Sequence, residues 1–576
     1  MSFRSIVAGK LGPYPIPLVL LLAACVFTCS CCDDDDNDKS SETENNSITI
    51  KEDHDWSFDV NDYTWDSPGT TARINLEIDD FHHGDMLVTI FDSKGETIFS
   101  KLYWSFDWYW YIDGEFTDID FTDSGEPGQW TIVLEFDEFT GDVKLIVEST
   151  DAPPTEPDVP DPDEDSNLLD LTFGKDGRAA YEPENSGGRR VAVDSAGRIL
   201  VCGTLVTDQG ERRLTVWRFT STGILDSSFG DGGLKSYTDP GVFASGALDM
   251  TIDISNRIIV TGWVAPLVDR KTNLALLRFT PSGNIDTGFA TNGIFTFDDG
   301  QDETGVGVAI DSLAKIVVAG TSRISANPAG HVLILRFSAS GVPDTAWDGD
   351  GVLSTPEGND KATDIAIATG NDPLILGTRN GNFILWKYTN SGILDGTFGT
   401  GGEVTSIVVP GEFRVGTSVA VKDDGTIGVT GVRYFSDGST PPAMVIWRFL
   451  SDGMPLTLFG GSGFLTFQYP NGWAVGTGIL FDSNGRILVS GVTRTFSTST
   501  ADASATLWRY FAAGSIDTSL PGSNGAGFAR FDPRPDNAGS TASSITFVGD
   551  GTVLSSGSVF SRETNAVDLV VWKLKP

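Results

Sequence analysis

The sequence predicts an all-β protein: a small β-sandwich followed by a seven-bladed β-propeller that an N-terminal strand closes. Three observations support this. A tripeptide with a basic residue between apolar or aromatic residues recurs seven times after residue 168. Alternating apolar and polar residues between Asp, Gly and Ser turns are typical of antiparallel strands. Glycine, with 66 of 576 residues, exceeds its usual ~7% and indicates many tight turns.

The repeat itself predicts the propeller. Each unit contains four short apolar segments, at 188–194, 198–204, 214–220 and 233–237 in the first unit. Four-stranded units that recur at a spacing of about 60 residues are typical of propeller blades. Each tripeptide follows an apolar strand that we expect to end in Gly. The tripeptides are Trp217-Arg218-Phe219, Leu277-Arg278-Phe279, Leu335-Arg336-Phe337, Trp386-Lys387-Tyr388, Trp447-Arg448-Phe449, Trp508-Arg509-Tyr510 and Trp572-Lys573-Leu574.

The two ends of the repeat region, 167–576, complement each other. The seventh unit stops at Pro576 after its third strand, without the Phe-Gly-like element that follows the first six tripeptides. An isolated element of this kind, 169–174, precedes the first unit. We therefore expect the segment before the first unit to supply the outer strand of the last blade. Such closure removes the sheet edges that would otherwise pair with another chain.

Spacing within the units predicts which face of the propeller varies. The basic residue of the tripeptide stands 11 residues before the next aromatic residue in five units, and before Leu520 in the sixth. The connection between the second and third strands, in contrast, varies in length. Loops on a rigid scaffold usually carry binding. We therefore expect binding at the variable connections 205–213, 264–273, 321–332, 434–443 and 493–504.

The repeat resembles the delta-60 repeat family of bacterial propeller-like proteins over residues 168–576. The resemblance rests on the pattern Gly-x-Leu/Ile-Asp-x-x-Phe-Gly-x-x-Gly and on strands such as Gly197-Arg198-Ile199-Leu200-Val201. Trp347 replaces Phe, Pro455-Leu456 replaces Ile/Leu-Asp, and Leu520-Pro521 replaces Phe-Gly. The resemblance implies a propeller fold and implies no established activity.

Residues 1–24 resemble a bacterial lipoprotein signal peptide. Arg4 and Lys10 precede an apolar stretch that is shorter than the about 20 residues of a transmembrane helix and is broken by prolines. The stretch ends in Leu22-Ala23-Ala24-Cys25, which resembles a lipobox and implies a lipid anchor on Cys25. An ordinary secretory signal with an incidental cysteine is the alternative. No disulfide framework is indicated, because four of the five cysteines lie within 25–32.

The net charge of −40 is concentrated near the N-terminus. Residues 33–166 carry a net −32, and residues 167–576 carry −10. This argues against a nucleic-acid partner, because phosphate binding needs clustered Lys and Arg. The acidic run at 33–36 resembles the surface-export signal of some Bacteroidetes lipoproteins. Together with the Val26 that follows the lipobox, it implies an anchor in the outer membrane with the protein exposed at the cell surface.

Composition divides the N-terminal part into three segments. Residues 25–46 are polar and acidic, which predicts a tether, and 151–166 are rich in Pro and Asp, which predicts a semi-rigid linker. Residues 47–150 alternate as short strands, including a predicted turn at Gly141-Asp142, and have the size of a β-sandwich. Their second half weakly resembles pre-peptidase C-terminal domains.

An aromatic stretch in the small domain is a candidate binding site. If residues 103–111 form one strand, tryptophans lie on one face and tyrosines on the other. One face can be core, and the other is either exposed for sugar stacking or packed as well. The candidate ligand-binding residues are Tyr103, Trp104, Trp108, Tyr109, Trp110 and Tyr111.

Acidic residues next to this stretch form a candidate calcium site. Carboxylate oxygens are the ligands that Ca²⁺ prefers, but the spacing is not that of an EF-hand. A solvated acidic loop explains the same residues. The candidate metal ligands are Asp113, Asp118, Asp120 and Asp123. Apart from this possible Ca²⁺, the sequence predicts no cofactor.

The sequence contains no catalytic motif that we recognise, so we expect no enzyme. A Gly-x-Ser-x-Gly elbow, an HExxH motif and a P-loop are all missing. The basic residue of the tripeptide, with Asp eight residues later, is interpreted as an ion pair that stabilises the blade. The predicted function is a surface-anchored lipoprotein whose propeller binds polysaccharide or an envelope protein. The alternative is a polysaccharide-cleaving enzyme, a lyase or a glycosidase, acting on the variable face.

Overall fold

A computed structural model describes the backbone of 39–44, 47–67, 71–91, 97–104, 115–124 and 128–149, and most of 168–576 with side chains. Contacts divide the chain into two compact units, Met1–Val159 with Ser497–Ala501, and Pro160–Phe496 with Asp502–Pro576. Within the described residues every regular element is a β-strand, which confirms the all-β prediction. The undescribed gaps after residue 168 are 182–184, 208, 269, 324–329, 357, 407–410, 437–439, 471, 496–502, 524, 532–536, 549–550 and 562–565.

The described strands of the N-terminal part belong to one antiparallel sheet. Its strand order is β1-β2-β6-β3-β4, and β5 also pairs with β3. Three of the described strands contain 21 or 22 residues, so they are longer than the short strands that we predicted. The strands are β1 (Lys39–Glu44), β2 (Ser47–Ser67), β3 (Thr71–Phe91), β4 (Thr97–Trp104), β5 (Glu115–Ser124) and β6 (Gly128–Ser149).

The turn predicted at Gly141-Asp142 is wrong, because both residues lie inside β6. Asp142 pairs with Asp53 on β2 and with Asp79 on β3. Close to this point the register shifts in both ladders, as it does at β-bulges. A bulge inserts unpaired residues without ending a strand. Small and polar residues at a bulge therefore have the same sequence signature as a turn.

By their antiparallel pairings the strands after residue 168 group into seven units of four within the described chain. A single parallel residue pair joins the fourth unit to the fifth, and another joins the sixth to the seventh. The first unit is β8 (Asn185–Val193), β9 (Ile199–Val206), β10 (Arg212–Phe219) and β11 (Leu234–Ser236). The second is β12 (Val242–Ile252), β13 (Ile258–Pro266), β14 (Asn273–Phe279) and β15 (Ile294–Phe297); the third is β16 (Asp302–Ile310), β17 (Ile316–Arg323), β18 (Gly330–Phe337) and β19 (Val352–Ser354); the fourth is β20 (Asp360–Ala368), β21 (Asp372–Arg379), β22 (Asn382–Lys387) and β23 (Glu403–Thr405).

The remaining units follow the same pattern. The fifth is β24 (Glu412–Val421), β25 (Ile427–Phe435), β26 (Ala443–Phe449) and β27 (Phe464–Phe467); the sixth is β28 (Gly472–Phe481), β29 (Ile487–Thr495), β30 (Ala503–Tyr510) and β31 (Phe528–Arg530); the seventh is β32 (Asn537–Phe547), β33 (Val553–Ser561), β34 (Ala566–Leu574) and β7 (Arg178–Tyr181). The number of blades stays a prediction, which this grouping supports.

The seventh unit combines both ends of the repeat region. Strand β7 pairs antiparallel with β34, so that Arg178 lies opposite Trp572 and Tyr181 opposite Leu569. The first and seventh units also share one buried cluster, which includes Val191 and Leu554. The segment before the first unit therefore supplies the outer strand of the last one, as the sequence predicts.

Apolar cores fill the junctions between neighbouring units. The first and second units bury Cys202, Phe229 and Met250 together, and corresponding clusters join later pairs of units. The first strands of successive units contact one another, so they line the centre of the arrangement. No helix within the described part of the chain has the length and apolar character of a membrane span.

The recurring glycine of the second strand lies inside that strand, so our expectation that the strand ends there is wrong. In all seven units the register between the first and second strands shifts at this level, as at a β-bulge. The bulge brings a carbonyl oxygen onto the glycine: a Cβ on Gly203 would lie 1.8 Å from the oxygen of Gly187. The corresponding distances in the other units are 1.7–2.8 Å, for Gly262, Gly320, Gly377, Gly431, Gly491 and Gly557.

Candidate functional site

The sites predicted in the N-terminal part are only partly covered by the described residues. Tyr103 and Trp104 end strand β4. Asp118, Asp120 and Asp123 lie on β5, so the solvated-loop interpretation is wrong for these three residues. The register of β5 against β3 skips Asp120, which places it at a bulge. The predicted sugar and Ca²⁺ sites stay predictions, and their other residues lie outside the described part: Trp108, Tyr109, Trp110, Tyr111 and Asp113, as does Cys25.

The predicted ion pair of the repeat is a structural connection between units. In the first unit Arg218 Nε lies 2.9 Å from Asp226 Oδ2, and Nη2 donates to Ser228 Oγ at 3.1 Å. The guanidinium lies over the ring of Phe229, 4.5 Å from its centroid, and Nη1 donates to the carbonyl oxygen of Pro281 in the second unit. Burial alone would raise the pKa of Asp226, but hydrogen bonds from Ser228 and the charge of Arg218 lower it.

Five further units contain the same pair, with nitrogen–oxygen distances of 2.8–3.3 Å. Because the pair recurs and is nearly buried in most units, we assign it to stability rather than to catalysis. The pairs are Arg278–Asp286, Arg336–Asp344, Lys387–Asp395, Arg509–Asp517 and Lys573–Asp170.

A second set of equivalent residues surrounds the centre. These residues follow the bulge in each first strand and form what we call the inner ring. Where this residue is aspartate, its side chain accepts a hydrogen bond from the backbone N–H of the next unit: Val308 N donates to Asp249 Oδ2 at 2.8 Å, and Val419 N donates to Asp364 Oδ2 at 2.9 Å. The members of the inner ring are Arg190, Asp249, Gly307, Asp364, Ser418, Gly478 and Ser544.

The charges of the inner ring are concentrated in the first four units. Arg190 Nε lies 3.1 Å from Asp249 Oδ1, and the Arg190 side chain is 36% exposed. Burial raises the pKa of Asp249 to about 6, with the charge of Arg190 opposing this rise and the charge of Asp364 adding to it. Burial also raises the pKa of the Cys202 thiol well above its usual range, so Cys202 is unreactive.

On the variable face, the third unit contains a buried glutamate, Glu303, beside an exposed aspartate, Asp299. Glu303 is fully buried; its Oε1 accepts the Gln301 N–H at 3.0 Å, and its Oε2 has no hydrogen-bond partner among the described residues. Asp299 accepts the Ser322 hydroxyl at 3.0 Å and lies 3.7 Å from His331 Nε2. Burial and the neighbouring carboxylate of Asp299 raise the pKa of Glu303 to about 9. Glu303 is therefore a neutral acid at pH 7.

The fourth unit holds an arginine rigidly at the same face. Arg379 donates from Nε and Nη2 to both oxygens of Asp360, at 2.9 and 2.8 Å. Its Nη1 donates to Glu403 Oε2 at 3.0 Å, and the Trp386 indole N–H donates to Glu403 Oε1 at 3.1 Å. The hydrogen bond to Asp360 raises the pKa of Arg379 further above its usual value. The Arg379 side chain is 37% exposed, so the fixed guanidinium faces solvent.

The fifth unit adds aromatic rings beside this arginine. Phe413 and Tyr434 are cross-strand partners on β24 and β25, and their rings stack with centroids 5.1 Å apart and planes at 20°. Phe413 also lies against Gly381 of the fourth unit, where a Cβ would be 2.4 Å from the ring. Both aromatic side chains are half-buried, and the Arg433 guanidinium lies 5.2 Å from the centre of the Phe435 ring.

Most of these residues lie in strands, whereas the sequence predicts binding in the connections between strands. Parts of all five predicted connections (208, 269, 324–329, 437–439 and 496–502) lie outside the described residues. The sequence does contain a sign of these residues, because Glu303 and Asp360 occupy a position of the repeat that is Ser in three other units. In those units the hydroxyl accepts a backbone N–H of the preceding unit: Ser186, Ser245 and Ser540.

Comparisons with known proteins support the propeller fold. A family model described as "Domain of unknown function (DUF5122) beta-propeller" matches residues 197–229, 255–289 and 315–346. No curated protein matches the sequence. Together with the four-stranded units, the family match confirms the predicted propeller-type repeat fold.

Solved structures resemble the chain only distantly. Drosophila Plexin A in complex with Semaphorin 1b is 8% identical, with 68% of this chain and 86% of that chain covered and a TM-score of 0.36. A putative gluconolactonase is 10% identical, with 70% and 96% covered and a TM-score of 0.29. MPT-4, a mannose phosphorylase from Leishmania mexicana, is 11% identical, with 46% and 81% covered and a TM-score of 0.27. At these scores the likeness carries no inference about function.

Proposed function

We propose that the propeller is a binding module whose variable face contacts a neutral polysaccharide. The observation that carries the proposal is the group of Arg379, Asp360, Phe413 and Tyr434 in the fourth and fifth units. Fixed hydrogen-bonding groups next to half-exposed aromatic rings are typical of ligand sites. The hydroxyl groups of a sugar can bind the fixed hydrogen-bonding groups, and the C–H faces of its ring can stack on the aromatic rings.

The charge of the propeller favours a neutral ligand over an anionic one. Residues 167–576 carry a net −10, and the Arg379 guanidinium is already paired with two carboxylates. An anionic polysaccharide would meet net repulsion at this face. A neutral sugar instead can accept hydrogen bonds from the guanidinium and donate to the carboxylates.

A glycan array with substituted proteins tests the proposal. We expect Tyr434→Ala and Phe413→Ala to lower binding of neutral glycans by at least tenfold, because stacking area is lost. The matched control is Phe511→Ala, which removes an aromatic ring that is 44% exposed, near the turns of constant length. Binding that persists in Tyr434→Ala and Phe413→Ala would overturn the proposal and favour an envelope protein as the partner.

The enzymatic alternative draws little support from the carboxyl pair of Glu303 and Asp299. Glycosidases hold their two carboxyl groups about 5–9.5 Å apart on either side of the sugar. Glu303 instead is fully buried, so it does not reach a substrate. We therefore keep binding as the proposed function and interpret this pair as structural.

We also propose that the protein is an outer-membrane lipoprotein anchored through Cys25 and exposed at the cell surface. The lipobox-like sequence before Cys25 and the acidic run at 33–36 support this. Labelling cells with a palmitate analogue tests it: the wild-type protein should incorporate label and Cys25→Ser should not. Label that survives in Cys25→Ser would contradict the assignment.

A further inference from the structure

The fifth unit departs from the other six at the ion pair. Its basic residue is Arg448, but Leu456 occupies the position of the paired aspartate and Leu458 the position of Ser228 in the first unit. The aspartate and the serine that accept from the guanidinium in the first and sixth units are therefore both replaced by leucine. Among the described residues no carboxylate lies within ion-pair distance of Arg448, which distinguishes this unit from the others.

Arg448 takes a different position from its counterparts. Its guanidinium lies 5.8 Å from the centroid of the Phe459 ring, compared with 4.5 Å for Arg218 over the equivalent ring. It lies instead 4.7 Å from the ring of Phe481 in the sixth unit, and Nη2 donates to Thr426 Oγ1 at 3.1 Å. Phe481 fits there because Gly428 has no Cβ, which would be 2.6 Å from the Phe481 ring.

The buried guanidinium is incompletely satisfied. Arg448 is only 3% exposed, and its Nε and Nη1 have no hydrogen-bond partner among the described residues. Burial lowers the pKa of Arg448, and only the charge of Asp424, which is itself paired with Lys422, opposes this. A buried charge without a partner is unfavourable, and an incoming anion recovers part of that free energy.

The connection that follows Arg448 exposes apolar side chains. Leu450 is 39% exposed, Met454 55% and Leu458 83%, all on the connection that follows the tripeptide. In the first, second and fourth units the equivalent connection contributes a carboxylate that is 15–19% exposed, and so lies near solvent. A carboxylate from outside can approach the guanidinium from the same side, and its apolar body can contact these three side chains.

We propose that Arg448, at the junction of the fifth and sixth units, binds the carboxylate of a ligand with an apolar body. The carboxylate takes the place of the missing aspartate, and the exposed Leu450, Met454 and Leu458 contact the rest of the ligand. This site lies near the turns of constant length, so it is separate from the glycan-binding face. It does not depend on the proposed polysaccharide function.

Thermal unfolding of the full chain with octanoate tests the proposal. Octanoate at 30 times its Kd should raise the Tm of the wild-type protein by roughly 2–4 °C. Acetate, which lacks the apolar body, should raise the Tm only at higher concentration. Octanamide, which is uncharged, should leave the Tm unchanged. The peptide acetyl-Ile-Asp-amide, which copies Ile285-Asp286, represents an acidic protein segment, and octanoate represents a free fatty acid. The probe that raises the Tm at the lower concentration identifies the better class of ligand.

Two substitutions make the result specific to Arg448. Leu456→Asp supplies the aspartate internally, so its Tm should exceed that of the wild type and should no longer respond to octanoate or to the peptide. The matched control Thr457→Asp adds the same charge at an exposed position and should keep the response. The proposal is overturned if the wild type responds to neither probe, or if Leu456→Asp responds as strongly as the wild type.

Discussion

Comparing Arg509 with Arg448 tests how the repeated ion pair stabilises the propeller. Arg509 Nε lies 2.8 Å from Asp517, whose side chain is 1% exposed, and Nη2 donates to Ser519 at 2.9 Å. Arg448 has neither partner. Substituting each arginine with Met keeps most of the aliphatic stem and removes the charge. We therefore expect the two variants to differ strongly in stability.

The size of the difference follows from burial. Removing one partner of a buried ion pair costs about 3–5 kcal/mol, because the other charge stays buried without compensation. Arg486 Nη1, which lies 3.6 Å from Asp517, lessens this loss, so we expect about 3 kcal/mol for Arg509→Met. For Arg448→Met the loss should stay within about 1 kcal/mol of zero, because no ion pair is broken.

Urea unfolding followed by tryptophan fluorescence measures both variants, since Trp447 and Trp508 are buried next to the two arginines in the sequence. The m-value should be unchanged, so that the shift in midpoint reports stability. The double variant Arg509→Met with Asp517→Leu should recover most of the loss, because both charges are then removed. Equal losses for Arg509→Met and Arg448→Met would refute this reasoning.

Two further predictions concern the bulge glycines and the buried Glu303. Gly203→Ala should destabilise the protein by at least about 2 kcal/mol in the same urea assay, because its Cβ would overlap the Gly187 oxygen. The control Gly396→Ala has open space around its Cβ and should be nearly neutral. Because the folded-state pKa of Glu303 is raised to about 9, the wild type should lose stability as the pH rises from about 5 to 9, by up to about 1.4 kcal/mol per pH unit. Glu303→Gln, which cannot ionise, should remove this slope, and an unchanged slope would contradict the assignment.

The sequence predicts the strands of the repeat well, because each strand is marked by its own residues. The recurring tripeptide, Trp217-Arg218-Phe219 in the first unit, marks the third strand, and the complementary ends at 169–174 and Pro576 imply the pairing of β7 with β34. The recurring glycine was misplaced at a strand end. A bulge and a turn both select small residues, so the pattern alone does not distinguish Gly203 in a strand from a glycine that ends one.

The candidate site is less predictable, because it depends on which units lie side by side. Nothing in the local sequence shows that Phe413 lies against Gly381, or that Arg379 contacts Glu403 across 24 residues. The loss of the ion pair at Arg448, in contrast, is partly predictable. The change of Ile/Leu-Asp to Pro455-Leu456 is visible in the sequence, but the free nitrogens and the new contact with Phe481 require the structure.

The central claim, that the variable face of the propeller binds glycans, is tested most directly by titrating one neutral glycan from the array into three proteins. Isothermal titration calorimetry should give a Kd at least tenfold weaker for Tyr434→Ala than for the wild type. The constant-face control Phe511→Ala should bind like the wild type. Equal affinity for all three proteins, or a loss confined to Phe511→Ala, would contradict the claim.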